Sequence, residues 1–112
     1  MSTLADYSVV NRPPTILAPG NNVSFNFDAP AVDALVDTVL FFRVFPTMGA
    51  GLTMTINGAP AFSVSNFAVE GGRSLHEVIP AGTVQPAGNV LTAANVGGAN
   101  VNFGDIVLFY QA

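Results

Sequence analysis

Turn-forming residues interrupt this sequence about every 8 to 12 residues, a rhythm that leaves room for short strands and little else. The interruptions are "RPP" at 12–14, "APGNN" at 18–22, "DAP" at 28–30, "PTMGAG" at 46–51, "NGAP" at 57–60, "EGG" at 70–72, "PAG" at 80–82, "PAGN" at 86–89 and "VGGAN" at 96–100. Between them the spacing predicts strands at 6–11, 22–27, 37–45, 52–56, 61–67, 74–79, 89–95 and 101–111, the last interrupted at Gly104. Eight short strands predict an all-β fold, an antiparallel β-sandwich of the jelly-roll type. The 112 residues make one domain over 1–112, with no linker and no repeat of fixed period.

Several segments alternate in polarity. Val23, Phe25 and Phe27 oppose Asn22, Ser24 and Asn26, and Leu52, Met54 and Ile56 oppose Thr53 and Thr55. Each of these strands has one wet side. Asn57-Gly58 after "LTMTI" predicts a hairpin, because a two-residue primed turn needs positive φ at both central positions. The one candidate helix is "PAVDALVDTV" from Pro30, with Asp28 available as a cap and Val32, Leu35 and Val36 as its apolar stripe, and the all-β assignment does not include it.

Two segments are apolar on both sides. In 37–45, Thr38, Leu40, Phe42 and Val44 form one face and Asp37, Val39, Phe41, Arg43 and Phe45 the other. In the C-terminal segment, Ile106, Leu108 and Tyr110 oppose Asp105, Val107, Phe109 and Gln111. A sheet of a sandwich buries one face, so the second needs a cover. Either the chain's own 30–38 segment or another loop folds over it, or a second copy does. Burying Val39, Phe41 and Phe45 supplies roughly 5 to 9 kcal/mol before the cost of association. On this reading Val39, Phe41, Arg43, Phe45, Val107 and Phe109 form an oligomer interface. Arg43 lays its stem on the aromatic rings and extends its guanidinium to a carboxylate such as Asp37 or Asp105.

Charge and composition exclude several classes. Half of the residues are hydrophobic and 9% are charged, and the net charge is −4, with Arg12, Arg43 and Arg73 as the only strong cations. No basic stripe exists to meet a phosphate backbone, so nucleic acid is not an expected partner. The absence of cysteine removes disulfides, thiolate metal sites and a cysteine nucleophile. The apolar runs are too short for a membrane span, and the start, MSTLADYSVV, shows no signal peptide. Localisation stays open.

Chemistry-bearing motifs are sparse. "EGGRSLHEV" collects Glu70, Arg73, Ser74, His76 and Glu77, and in a strand Ser74 and His76 share a face. A working triad also needs an oxyanion hole and an orienting acid. The cluster is read as an ordinary surface strand, with His76 making an ordinary hydrogen bond, and no catalytic residue is assigned. Asp28, Asp33 and Asp37 offer oxygens to calcium without EF-hand spacing, one histidine makes no zinc set, and no cofactor motif is present. Asn22-Val23-Ser24 matches the N-glycosylation acceptor pattern.

The stretch "GNVLTAANVGGANVNFGDIVLFYQ" at 88–111, together with "LTMTINGAPAF" at 52–62, resembles the galactose-binding-like jelly-roll modules. The shared features are the hairpin at Asn-Gly, the Gly-Asn-x-Leu element at Gly88, Asn89 and Leu91, and the hydrophobic last strand. The resemblance implies a fold, and none of that family's sugar-contacting residues carries over to this chain. With no tryptophan, two tyrosines and nine phenylalanines, the aromatic inventory suits a core or a protein interface better than a sugar platform. The expectation is therefore a non-enzymatic, self-assembling structural subunit of a fibre, shell, virion or cell-surface layer. The alternative is a lectin-like carbohydrate-binding module.

Overall fold

A computed structural model describes residues 5–68 and 70–112, and within them the alternating segments become nine strands. These are β1 (Ala5–Asn11), β2 (Thr15–Leu17), β3 (Asn22–Phe27), β4 (Thr38–Pro46), β5 (Leu52–Ile56), β6 (Ala59–Val64), β7 (Arg73–Ile79), β8 (Asn89–Ala94) and β9 (Val101–Gln111). One sheet has the order β1-β9-β4-β7, with β2 continuing the β1 edge along β9, and the other has the order β3-β8-β5-β6. Every pairing between strands is antiparallel. The all-β antiparallel sandwich of jelly-roll type expected from the sequence is the observed fold. The additional strand, β2, escapes a reading by turn spacing because only "TIL" separates two turn clusters.

The sheets meet through their alternating apolar faces. Leu40, Phe42 and Val44 of β4 and Phe103, Ile106 and Leu108 of β9 pack against Leu52, Met54 and Ile56 of β5 and Leu91 and Ala93 of β8. Phe42 meets Phe62 of β6 edge-on across the sandwich, with ring centroids 5.0 Å apart. On the far side of the four-stranded sheet lie the neutral polar partners, among them Ser24 and Thr92, whose hydroxyls are 2.9 Å apart. The hairpin is at Asn57-Gly58, with φ of 53° and 82°, the signature of the primed turn.

Two asparagines flank the interior at opposite ends of β8. Asn89 is fully buried; its amide donates to Phe27 O and Gln85 O, while its carbonyl accepts from Gln85 N and Asn57 Nδ2. Asn95 donates to Leu17 O and Ala99 O and accepts from Gly51 N and Gly97 N. Each satisfies loop backbone groups that would otherwise be stranded away from water. At the Asn95 end the chain passes so close to itself that a side chain on Gly97 would collide with the backbone of Gly49–Gly51.

The candidate helix from Pro30 does not form. Residues 30–37 are turns: Ala31 has a φ of 59°, and the Asp33 carboxylate accepts the Leu35 amide at 2.9 Å, offering the backbone a turn in place of a helix. Leu35 is 89% exposed, so the supposed apolar stripe has nothing to bury against. Among the described residues no helix is long and apolar enough to cross a membrane.

Candidate binding face on the five-stranded sheet

β4 divides its side chains by parity. Thr38, Leu40, Phe42 and Val44 are buried in the sandwich, while Val39, Phe41, Arg43 and Phe45 point away from it. In β9 the parity changes partway: Val101 and Phe103 face the core before a register shift, and Ile106, Leu108 and Tyr110 face it afterwards. The shift lies at Gly104 and Asp105. Asp105 has a φ of 49°, and its amide donates to Arg12 O. Gly104 lies against Arg12–Pro14, where even one added carbon would come 3.1 Å from Pro14 Cα. The bulge turns Val107 and Phe109 outward, beside the outward side chains of β4.

Two rows then run across the whole sheet. Val78, Val39, Phe109 and Tyr7 make one, and His76, Phe41, Val107 and Val9 make the other. The six residues expected to share a surface, Val39, Phe41, Arg43, Phe45, Val107 and Phe109, therefore lie together on one face. Residues 30–37 do not cover it, and Gly72 lies against the Phe45 ring at one end; Tyr7 is 60%, Val78 64%, Phe109 45% and Phe45 40% exposed. Tyr7 and Phe109 are tilted at 45° with centroids 6.4 Å apart, and Phe41 lies 5.0 Å from the ring of His76.

Arg43 holds one end of this face. Its guanidinium carbon is 5.3 Å from the centre of the Phe45 ring, and Nη1 is 3.7 Å from Asp105 Oδ2. Both charged side chains are half-exposed, so the pair contributes at most about 1 kcal/mol, and the ring contact a comparable amount. Of the two carboxylates anticipated for Arg43, the bulge brings Asp105; Asp37 lies at the other end of the face and accepts the amide of Ala81 at 2.9 Å.

At that other end the face opens into a cleft of about 220 Å³ between Asp6, Asp37, Val39, Phe109 and Gln111. Asp6 Oδ1 accepts the Tyr7 amide at 2.8 Å, which fixes its carboxylate at the rim. Tyr110 lines the floor, and burial first, then the charge and hydrogen bond of Asp6, push its phenol above the ordinary 10.0. Asp6 pairs with Tyr110 and shares its core-side parity, so on the outer side the cleft is framed by Phe109, Val39, Asp37 and Gln111.

Other anticipated chemistry is dispersed. Ser74 and His76 do share the outer face of β7, but among the described residues no hydrogen bond joins them; Ser74 lies opposite Arg43, and His76 leans on Phe41. Asp28, Asp33 and Asp37 do not converge: each accepts a different backbone amide, from Gly88, Leu35 and Ala81 respectively. Among the described residues no three metal-ligating side chains come together. Sequence reasoning missed Tyr7, Val9 and Val78 as parts of the face. Alternation in "ADYSVV" groups Tyr7 with Val9, but nothing local says which strand lies beside them.

No protein-family model matches this chain, and no curated protein matches it in sequence. Its fold is shared with solved structures at low identity. The C-terminal CBM6 of LamC, a marine laminarinase from Zobellia galactanivorans, superposes with a TM-score of 0.61 at 8% identity, over 96% of this chain and 99% of that one. CBM29_1, a family 29 carbohydrate binding module from Piromyces equi, gives 0.58 at 9% identity, over 95% and 91%. Dimeric latent PorU from Porphyromonas gingivalis gives 0.69 at 14% identity, where 97% of this chain corresponds to 12% of that one. This chain thus spans nearly the full length of the two carbohydrate-binding modules and a small part of PorU.

Proposed function

We propose that this domain is a non-catalytic carbohydrate-binding module that takes a glycan on the outer face of the five-stranded sheet, at the end where Tyr7 and Phe109 stand beside the cleft. The observation that carries this reading is the exposed ring pair next to Asp37 and Gln111. Rings cover the C–H faces of a pyranose, while a carboxylate and an amide accept and donate at its hydroxyls. The sandwich shared with CBM6 and CBM29 modules adds support. Absence of tryptophan weakens it less once Tyr7, one of only two tyrosines, stands on this face. A glycan array followed by calorimetry tests the reading. Saturable binding is expected, weakened about tenfold or more by Phe109→Ala, or roughly 1.4 kcal/mol, and little changed by Phe45→Ala at the far end. Silence across the array would end it.

A second reading keeps the same face for self-assembly as a structural subunit through Val39, Phe41, Arg43, Phe45, Val107 and Phe109. The four valines in the two rows, Val9, Val39, Val78 and Val107, favour it, since aliphatic branches cover apolar surface and do not stack on sugars. Light scattering decides: a defined assembly that Phe41→Asp dissociates supports this reading, and a monodisperse monomer at high concentration removes it.

A further inference from the structure

Each sheet ends in edge strands, and such edges recruit other strands unless something blunts them. Three of the four edges are blunted. β7 carries Arg73, His76 and Glu77. β6 contains Pro60, which has no N–H to offer, and its register against β5 shifts between Met54 and Thr55. The β1–β2 edge shifts between Val9 and Asn11 and then breaks at Arg12-Pro13-Pro14.

β3 has none of these devices. "NVSFNF" holds no charge and no proline, and it pairs with β8 without a shift from Asn22 opposite Ala94 to Phe27 opposite Asn89. Its core-facing Val23 and Phe25 are only partly buried, whereas Phe27 at the end of the strand is buried. The strand in the middle of the edge still shows apolar area that one more strand would cover.

We infer that β3 is a pairing edge and that its occupant is β3 of a second copy, set antiparallel about a two-fold axis at Ser24. The two four-stranded sheets then join into one continuous sheet. In this register Ser24 faces Ser24, Val23 faces Phe25 and Asn22 faces Asn26. From Asn22 to Asn26 apolar side chains stay on the core side and neutral polar ones on the wet side, so these cross-strand pairs are compatible, while Phe27 at the strand end falls opposite Asn21. The flanks agree as well: Asp28 falls opposite Gly20 of the other strand, so the nearest carboxylates do not meet. A strand complementary to itself in polarity, charge and flanking residues fits an isologous dimer better than an unrelated peptide. Pairing at this edge leaves the outer face of each five-stranded sheet open, and the inference holds whether or not that face binds a glycan.

Sedimentation velocity on the full chain from about 10 μM to 1 mM tests it, combined with amide hydrogen exchange at both ends of that range. The expected result is a concentration-dependent dimer in which protection of the β3 amides rises with concentration. Ser24→Lys, which places two lysines face to face at the axis, raises the dissociation constant about tenfold or more, while Ser63→Lys on the β6 edge leaves the dimer intact. Should Ser24→Lys misfold by circular dichroism, the exchange pattern of the unaltered chain decides alone. A monomer throughout the range, a dimer indifferent to Ser24→Lys, a dimer dissolved by Phe41→Asp, or β3 protection independent of concentration would each overturn the inference. Glycan affinity per site is measured on the same samples, so loss of the dimer and loss of sugar binding are read separately.

Discussion

Arg43 and Tyr110 show how a single side chain takes its role from its neighbours. Arg43 stands in the most apolar run of a chain with three strong cations, and its partners, the Phe45 ring and the Asp105 carboxylate, come from its own strand and from the adjacent bulge. That a long cationic stem would lie on an aromatic face was legible from the "FFRVF" pattern; the choice of Asp105 over Asp37 depended on where a bulge in another strand aims a side chain. Tyr110 gives a testable consequence. Its phenol is pushed above 10.0 in the folded chain, so on raising the pH the unfolded phenol ionises first and draws the equilibrium toward unfolding. Stability from this group is complete below about pH 10 and is lost as the pH climbs through the folded value. Thermal melts from pH 8 to 11 should show a steeper alkaline decline for the native chain than for Tyr110→Phe. Equal slopes would mean that the phenol is not the group responsible.

At the scale of an element, the strands with two apolar sides were read correctly because parity within a strand is a local property. At Pro30 local signals for a helix, caps and spacing, are present without one forming, because Asp33 bonds its own backbone and no surface waits to receive Leu35. The β9 bulge carries most of the consequences. Without the extra residue, Phe109 and Val107 would face inward and each of the two rows would lose its β9 member. Gly104→Val should therefore destabilise the fold by about 1 to 3 kcal/mol, because its side chain would meet the backbone of Arg12–Pro14. Urea denaturation measures the loss. If binding to the outer face weakens more than the shift in stability explains, the bulge also sets the geometry of that face.

Across the whole molecule, two buried asparagines tie the loops of each end to the sandwich. Asn89→Ala removes four hydrogen bonds and leaves buried backbone groups unpaired, which should cost about 3 kcal/mol in a single cooperative transition. A change below about 1 kcal/mol in a denaturant melt would mean that the loop closes without it. Turn spacing and two-residue alternation were enough to establish a β-sandwich, the position of its strands and the inner or outer side of most residues, because steric preference and side-chain direction act over a few bonds. Apart from the β5–β6 hairpin announced by Asn57-Gly58, which strands became neighbours was decided by tertiary structure. Pairing joins residues as distant as Tyr7 and Phe109 through hydrogen bonds that any sequence can make, so their meeting on one open face, with Asp37 at its end, had no local signature to read.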